Sequence, residues 1–126
     1  MVDVSAAAVV SDGIFADVVW SLCLGVMIAL SLNAWRRIHP QALAPLQWGR
    51  DGQPVMRAGR SLAVAFTPLA ATVGGLVLAA GERLSAAAEP GWMAVRLIAP
   101  LLILIAHQAH LRSALNTLKV EGGLRL

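Results

Sequence analysis

Leu62–Ala80 reads LAVAFTPLAATVGGLVLAA, nineteen residues without a charge. As a helix rising about 1.5 Å per residue it comes close to the roughly 30 Å hydrocarbon core of a bilayer. Pro68 falls in its middle. A proline there removes a backbone hydrogen bond and is tolerated in a membrane helix when a neighbour re-satisfies the freed group. Ala63, Thr67, Ala71, Gly75 and Ala79 recur every fourth residue. Such a small-residue ladder lets two helices approach closely enough for van der Waals packing to hold them. The ladder is therefore read as a helix-packing face.

Two similar stretches flank this one. Upstream, 14–32 reads IFADVVWSLCLGVMIALSL, with Ser11 or Asp12 placed to cap its start and Trp35, Arg36 and Arg37 at its end. Downstream, 92–111 reads WMAVRLIAPLLILIAHQAHL, with a shorter uninterrupted apolar core. The tail continues with Leu111, Leu115 and Leu118 at helical spacing, which predicts an amphipathic C-terminal extension lying along the membrane surface. The expected fold is thus an all-α integral membrane protein of one domain, with three transmembrane helices at 14–32, 62–80 and 92–111 and an arginine-rich loop at 35–61.

Composition agrees with this. The 126 residues are 58% hydrophobic and 13% charged, against roughly 45–50% and 25% in soluble domains. The net charge of +3 does not point to nucleic acid, because the arginines flank apolar runs and no nucleic-acid motif is present. The single cysteine, Cys23, lies in an apolar run and acts as a small hydrophobe. The first residues contain Asp3 and Asp12 but no Lys or Arg, unlike the basic start of a secretory signal, so the first span is expected to be retained.

Basic residues are distributed unevenly. Arg36, Arg37, Arg50, Arg57 and Arg60 lie in the first loop and Arg112, Lys119 and Arg125 in the tail, whereas the second loop has only Arg83. By the positive-inside rule the first loop and the tail face the cytoplasm and the N-terminus lies outside. A bacterial inner membrane is the expected location. The loop arginines and Trp48 then form a membrane-surface element in contact with anionic lipid headgroups.

The loop also carries turn chemistry. Pro45 restricts Ala44, Asp51-Gly52 is a tight-turn dipeptide, and Pro54 holds Gln53 extended, which predicts a short hairpin. Pro45, Trp48, Gly52, Pro54 and Pro68 together resemble the N-terminal domain of SdpI-like membrane proteins, over about residues 40–76. The chain departs from that pattern at Val55, where an acidic residue is usual, and at Gln47, often histidine. It has three spans where longer members have more, and a family member starting in the cytoplasm would place this loop outside. The resemblance implies a non-enzymatic membrane protein with an immunity or signalling role.

Two constellations remain. Asp17 and Arg96 lie about one turn inside spans that start on the same side, and an intramembrane acid is costly unless paired. They are read as an interhelical pair. With the ladder they exceed what three helices need for cohesion, which favours other transmembrane helices as partners, in a larger complex or a homo-oligomer. His107 and His110, three apart, raise the alternative of a metal- or haem-binding redox component. Zinc needs further ligands, and a bis-histidine haem needs a histidine at matching depth on another span. A polar interfacial turn is the simpler reading, so no cofactor is expected. No paired carboxylates, nucleophile–base set, phosphate loop or CxxC is present, so the chain is not expected to be an enzyme.

Overall fold

The computed structural model describes residues 4–84 and 90–126. The order of elements is α1 (Val4–Arg37), β1 (Leu43–Trp48), β2 (Pro54–Gly59), α2 (Arg60–Leu84) and α3 (Pro90–Glu121). The segments 13–37, 60–84 and 91–121 are each long and apolar enough to cross a membrane. The helix-dominated architecture agrees with the sequence, with a two-stranded hairpin added in the loop. α1 begins at Val4, so Ser11 and Asp12 lie within the helix and do not cap it. The alanines at 6–8 ahead of them favour helix over a cap at that point.

The inward stripe of α1 is Ala16, Trp20, Cys23, Met27, Ser31 and Ala34, and that of α3 is Arg96, Pro100, His107, Leu111, Ala114 and Leu118. Both follow helical spacing, in steps of three or four residues with one two-turn step from Pro100 to His107 in α3, as a packed helix face must. Their chemistry is small and polar as much as apolar. Many large apolar side chains point the other way: Phe15, Leu22, Phe66, Leu76, Leu102 and Ile105 are all exposed. An aqueous surface would not favour so many exposed apolar side chains. Hydrocarbon suits them, and that leaves packing and hydrogen bonds to hold the bundle.

β1 and β2 pair antiparallel from Leu43 opposite Gly59 to Trp48 opposite Pro54. Pro45 sits beside a register shift and Pro54 begins its strand, places where a missing N–H costs no ladder bond. Gly52 has φ +77° in the turn, and Asp51 accepts from the Gln53 N–H at 3.1 Å. The hairpin closes one end of the bundle. Ala44 is fully buried among Ala34, Ile38, Ala63, Val64, Leu111 and Leu118.

The tail is helical, as its leucine spacing leads one to expect. It continues α3 to Glu121, and Leu111, Leu115 and Leu118 pack on α1 and the hairpin. Gly122, with φ +77°, ends the helix, and the Gly123 N–H bonds back to the Leu118 carbonyl at 2.8 Å. This is a Schellman C-cap. The chain then runs back along the end of α1, with Arg125 N–H donating to the Arg37 carbonyl at 2.7 Å.

Candidate functional site

The site is built around Pro68. Having no N–H, it leaves the Val64 carbonyl, one turn earlier in α2, without its helical partner. Ser31 of α1 supplies the missing donor: its hydroxyl lies 2.7 Å from that carbonyl. His107 Nε2 of α3 lies 2.8 Å from the same Ser31 oxygen. Ser31 and His107 are both buried. One proline in α2 is thus answered by a serine in α1, which is held in turn by a histidine in α3.

Beside this node a cavity of about 610 Å³ lies between α2, α3 and the hairpin. Phe66, Ile103, Met56 and Leu46 line it, with both His107 and His110. Trp48 reaches over from β1 and meets His110 edge-on, with ring centroids 5.3 Å apart. A serine–histidine contact is half of a nucleophile–base arrangement. Here, however, the serine hydrogen is directed to a carbonyl, and His107 Nδ1 has no partner among the described residues.

His107 and His110 find Ser31 and Trp48 as neighbours. Among the described residues no group of three His, Cys, Asp or Glu is placed to hold a metal ion. His39 is engaged elsewhere, its Nδ1 accepting from the Gln41 N–H at 3.2 Å.

At the opposite end of the bundle Arg96, nearly fully buried, is paired with both Asp17 and Glu82. Arg83 reaches Asp17 at 2.8 Å, completing a cluster of two acids and two guanidiniums. Asp17 and Arg96 are brought together, but within a four-residue clasp. Glu82 was not singled out from the sequence, and Arg83, expected in the second loop, lies in the last turn of α2. The depth argument applied to Asp17 could have found them, because they end span two on the side where spans one and three begin.

The ladder faces inward. Ala63, Ala71 and Ala79 are buried, with Thr67 and Gly75 half-buried. Its partner is this chain's own α1: Trp20 lies over Gly75 and donates to the Ala71 carbonyl at 3.1 Å. The surplus of cohesive features that favoured an external partner is therefore taken up inside the chain.

The loop arginines divide into two groups. Arg36, Arg37 and Arg50 are exposed. Arg60 stacks over the Trp35 ring at 3.8 Å and donates to the Trp35 and Ile38 carbonyls, closing the end of α1. Arg57 forms a two-bond pair with Glu121, at 2.9 and 2.6 Å, and this tethers β2 to the last turn of α3. Comparison of the chain with models of protein families, with curated proteins and with solved structures finds no match.

Proposed function

We propose that the chain is a non-catalytic integral membrane protein that works through protein–protein contact, as an accessory subunit of a membrane complex or as an SdpI-like immunity or regulatory protein. The observation that carries this reading is the division of labour among its polar groups. Asp17, Glu82, Arg96 and Ser31 are each committed to a neighbour inside the chain. The hairpin, in contrast, leaves Leu43, Val55 and Met56 exposed at the end of the bundle. Its frame is held by Trp48 on His110 and Arg57 on Glu121. A rigid, partly apolar surface loses little freedom on binding, which suits it to docking. In this reading the hairpin and tail face the cytoplasm of a bacterial cell, where Arg36, Arg37 and Arg50 also meet anionic headgroups.

The test is the mass and composition of the particle extracted in mild detergent, for the wild type and for Val55→Asp with Met56→Asp. A larger complex that is lost in the double variant supports the accessory role. A monomer or small homo-oligomer supports the SdpI-like role. Stoichiometric haem or metal in the particle would overturn both in favour of a redox component at His107 and His110.

A further inference from the structure

Between α1 and α2 a second cavity, of about 380 Å³, forms a groove on the outside of the bundle. Ile28 and Leu32 of α1 and Leu69 of α2 line it and are exposed, so it faces hydrocarbon where these helices cross a membrane. No charged side chain lines it. Its deeper hydroxyls are already committed, Ser31 to the Val64 carbonyl and Thr72 to the Pro68 carbonyl at 2.8 Å. The deep part therefore offers only apolar contact. From Ser61 to Thr72 its wall rises about 16 Å along α2, close to half of the roughly 30 Å hydrocarbon core. That is the depth of one leaflet.

The mouth of the groove is different. Trp35 and Ser61 form it, with Trp35 Nε1 donating to the Ser61 oxygen at 3.1 Å. Ser61 accepts in that bond, so its own hydrogen is left without a partner among the described residues, and the side chain is exposed. Arg60 lies over the Trp35 ring at 3.8 Å. Its Nη1 is spent on the Trp35 and Ile38 carbonyls. Nε and Nη2 have no partner among the described residues, and neither is among the side-chain atoms sealed from solvent. Arg57, Arg83 and Arg96 each have a carboxylate; among the described residues Arg60 has none.

We propose that this groove holds an anionic phospholipid, one acyl chain along Leu32, Val64 and Leu69 and the phosphate against Arg60 and the Ser61 hydroxyl. Charge complementarity decides the occupant. A transmembrane helix in the groove would bring an apolar face and leave the open Arg60 donors unanswered, whereas a lipid answers both the donors and the apolar wall. The proposal does not rest on the protein–protein reading, because Leu43, Val55 and Met56 do not line this groove. It also differs from the headgroup contact of Arg36, Arg37 and Arg50, which needs charge alone and no surface for a chain.

The experiment uses the full chain, with isotope-labelled tryptophan and arginine, in phosphatidylcholine nanodiscs carrying increasing fractions of phosphatidylglycerol. The anionic lipid is expected to shift the Trp35 indole and Arg60 Nε resonances saturably, with a preference of about fivefold over phosphatidylcholine. Arg60→Gln should abolish the preference. Ala65→Phe fills the groove and keeps every charge, so it should abolish the saturable shift. Equal affinity for the two lipids would overturn the proposal. So would a shift that grows without saturating, or a preference unchanged by Ala65→Phe, since either reduces the site to diffuse headgroup contact. Disulfide-linked dimers from Leu69→Cys in a Cys23→Ser background would give the groove to a second copy and overturn it as well. Where Arg60→Gln fails to fold, the lipid comparison on the wild type and on Ala65→Phe still decides.

Discussion

Gly75 has no side chain where Trp20 needs the room. An ideal Cβ built there would overlap the indole ring, whereas one at Gly74 meets nothing within 4 Å. Gly75→Ala should therefore destabilise the bundle by on the order of 1–3 kcal/mol, as overpacking does. Gly74→Ala should be neutral or stabilising, by up to about 1 kcal/mol, because alanine is the better helix former. Unfolding midpoints in mixed micelles check both. Equal effects at the two positions would mean that the Trp20 contact does not hold α1 to α2. The ladder itself was legible as a four-residue period, but its partner was not. A period tells which face is small and leaves open which helix lies on it. Ser31 was open to the same reasoning and was missed. Pro68 announces a free carbonyl at Val64, so a hydroxyl at matching depth on another span was the group to look for.

Among the helices, the clasp decides how much a charge exchange can recover. Asp17→Arg alone places three guanidiniums around Glu82, and should cost on the order of 3 kcal/mol, near the low end for a broken buried pair because Asp17 is partly exposed. Exchanging Asp17 and Arg96 alone restores one pair but sets the new acid beside Glu82 and the new base beside Arg83. It should recover only part of the loss. Reversing all four charges, at Asp17, Glu82, Arg83 and Arg96, should recover more, because contacting charges do not add independently. Complete recovery from the twofold exchange would show that Glu82 and Arg83 lie outside the energetic unit. The hairpin was more readable than the clasp. Asp51-Gly52, Pro45 and Pro54 restrict the backbone locally, and local restrictions need no knowledge of the rest of the fold.

For the whole molecule, Arg57 on Glu121 and the tail against Arg37 place the hairpin and the C-terminal segment at one end of the bundle. By the distribution of basic residues that end is expected to be cytoplasmic. In a Cys23→Ser background, Asp51→Cys should then react with an impermeant maleimide only after the cells are permeabilised, while Leu84→Cys, at the exposed end of α2, should react in intact cells. The opposite pattern would favour the orientation of an SdpI-like protein that starts in the cytoplasm.

What the sequence by itself determined is the set of properties that belong to a single segment: three apolar spans, an uneven charge distribution, a turn-rich loop and a helical tail. The spans, the loop and the tail are each local in sequence, and the charge distribution is a count along the chain that needs no knowledge of contacts. Which groups meet was decided only by the tertiary structure. The tail leucines turned onto α1, the ladder closed on Trp20, and Arg57 and Arg60 became tethers within the chain. The physical reason is that apolar attraction does not distinguish inside from outside in a bilayer. Helix rotation is then set by close packing and by hydrogen bonds between groups far apart in sequence, such as Ser31, Val64 and His107.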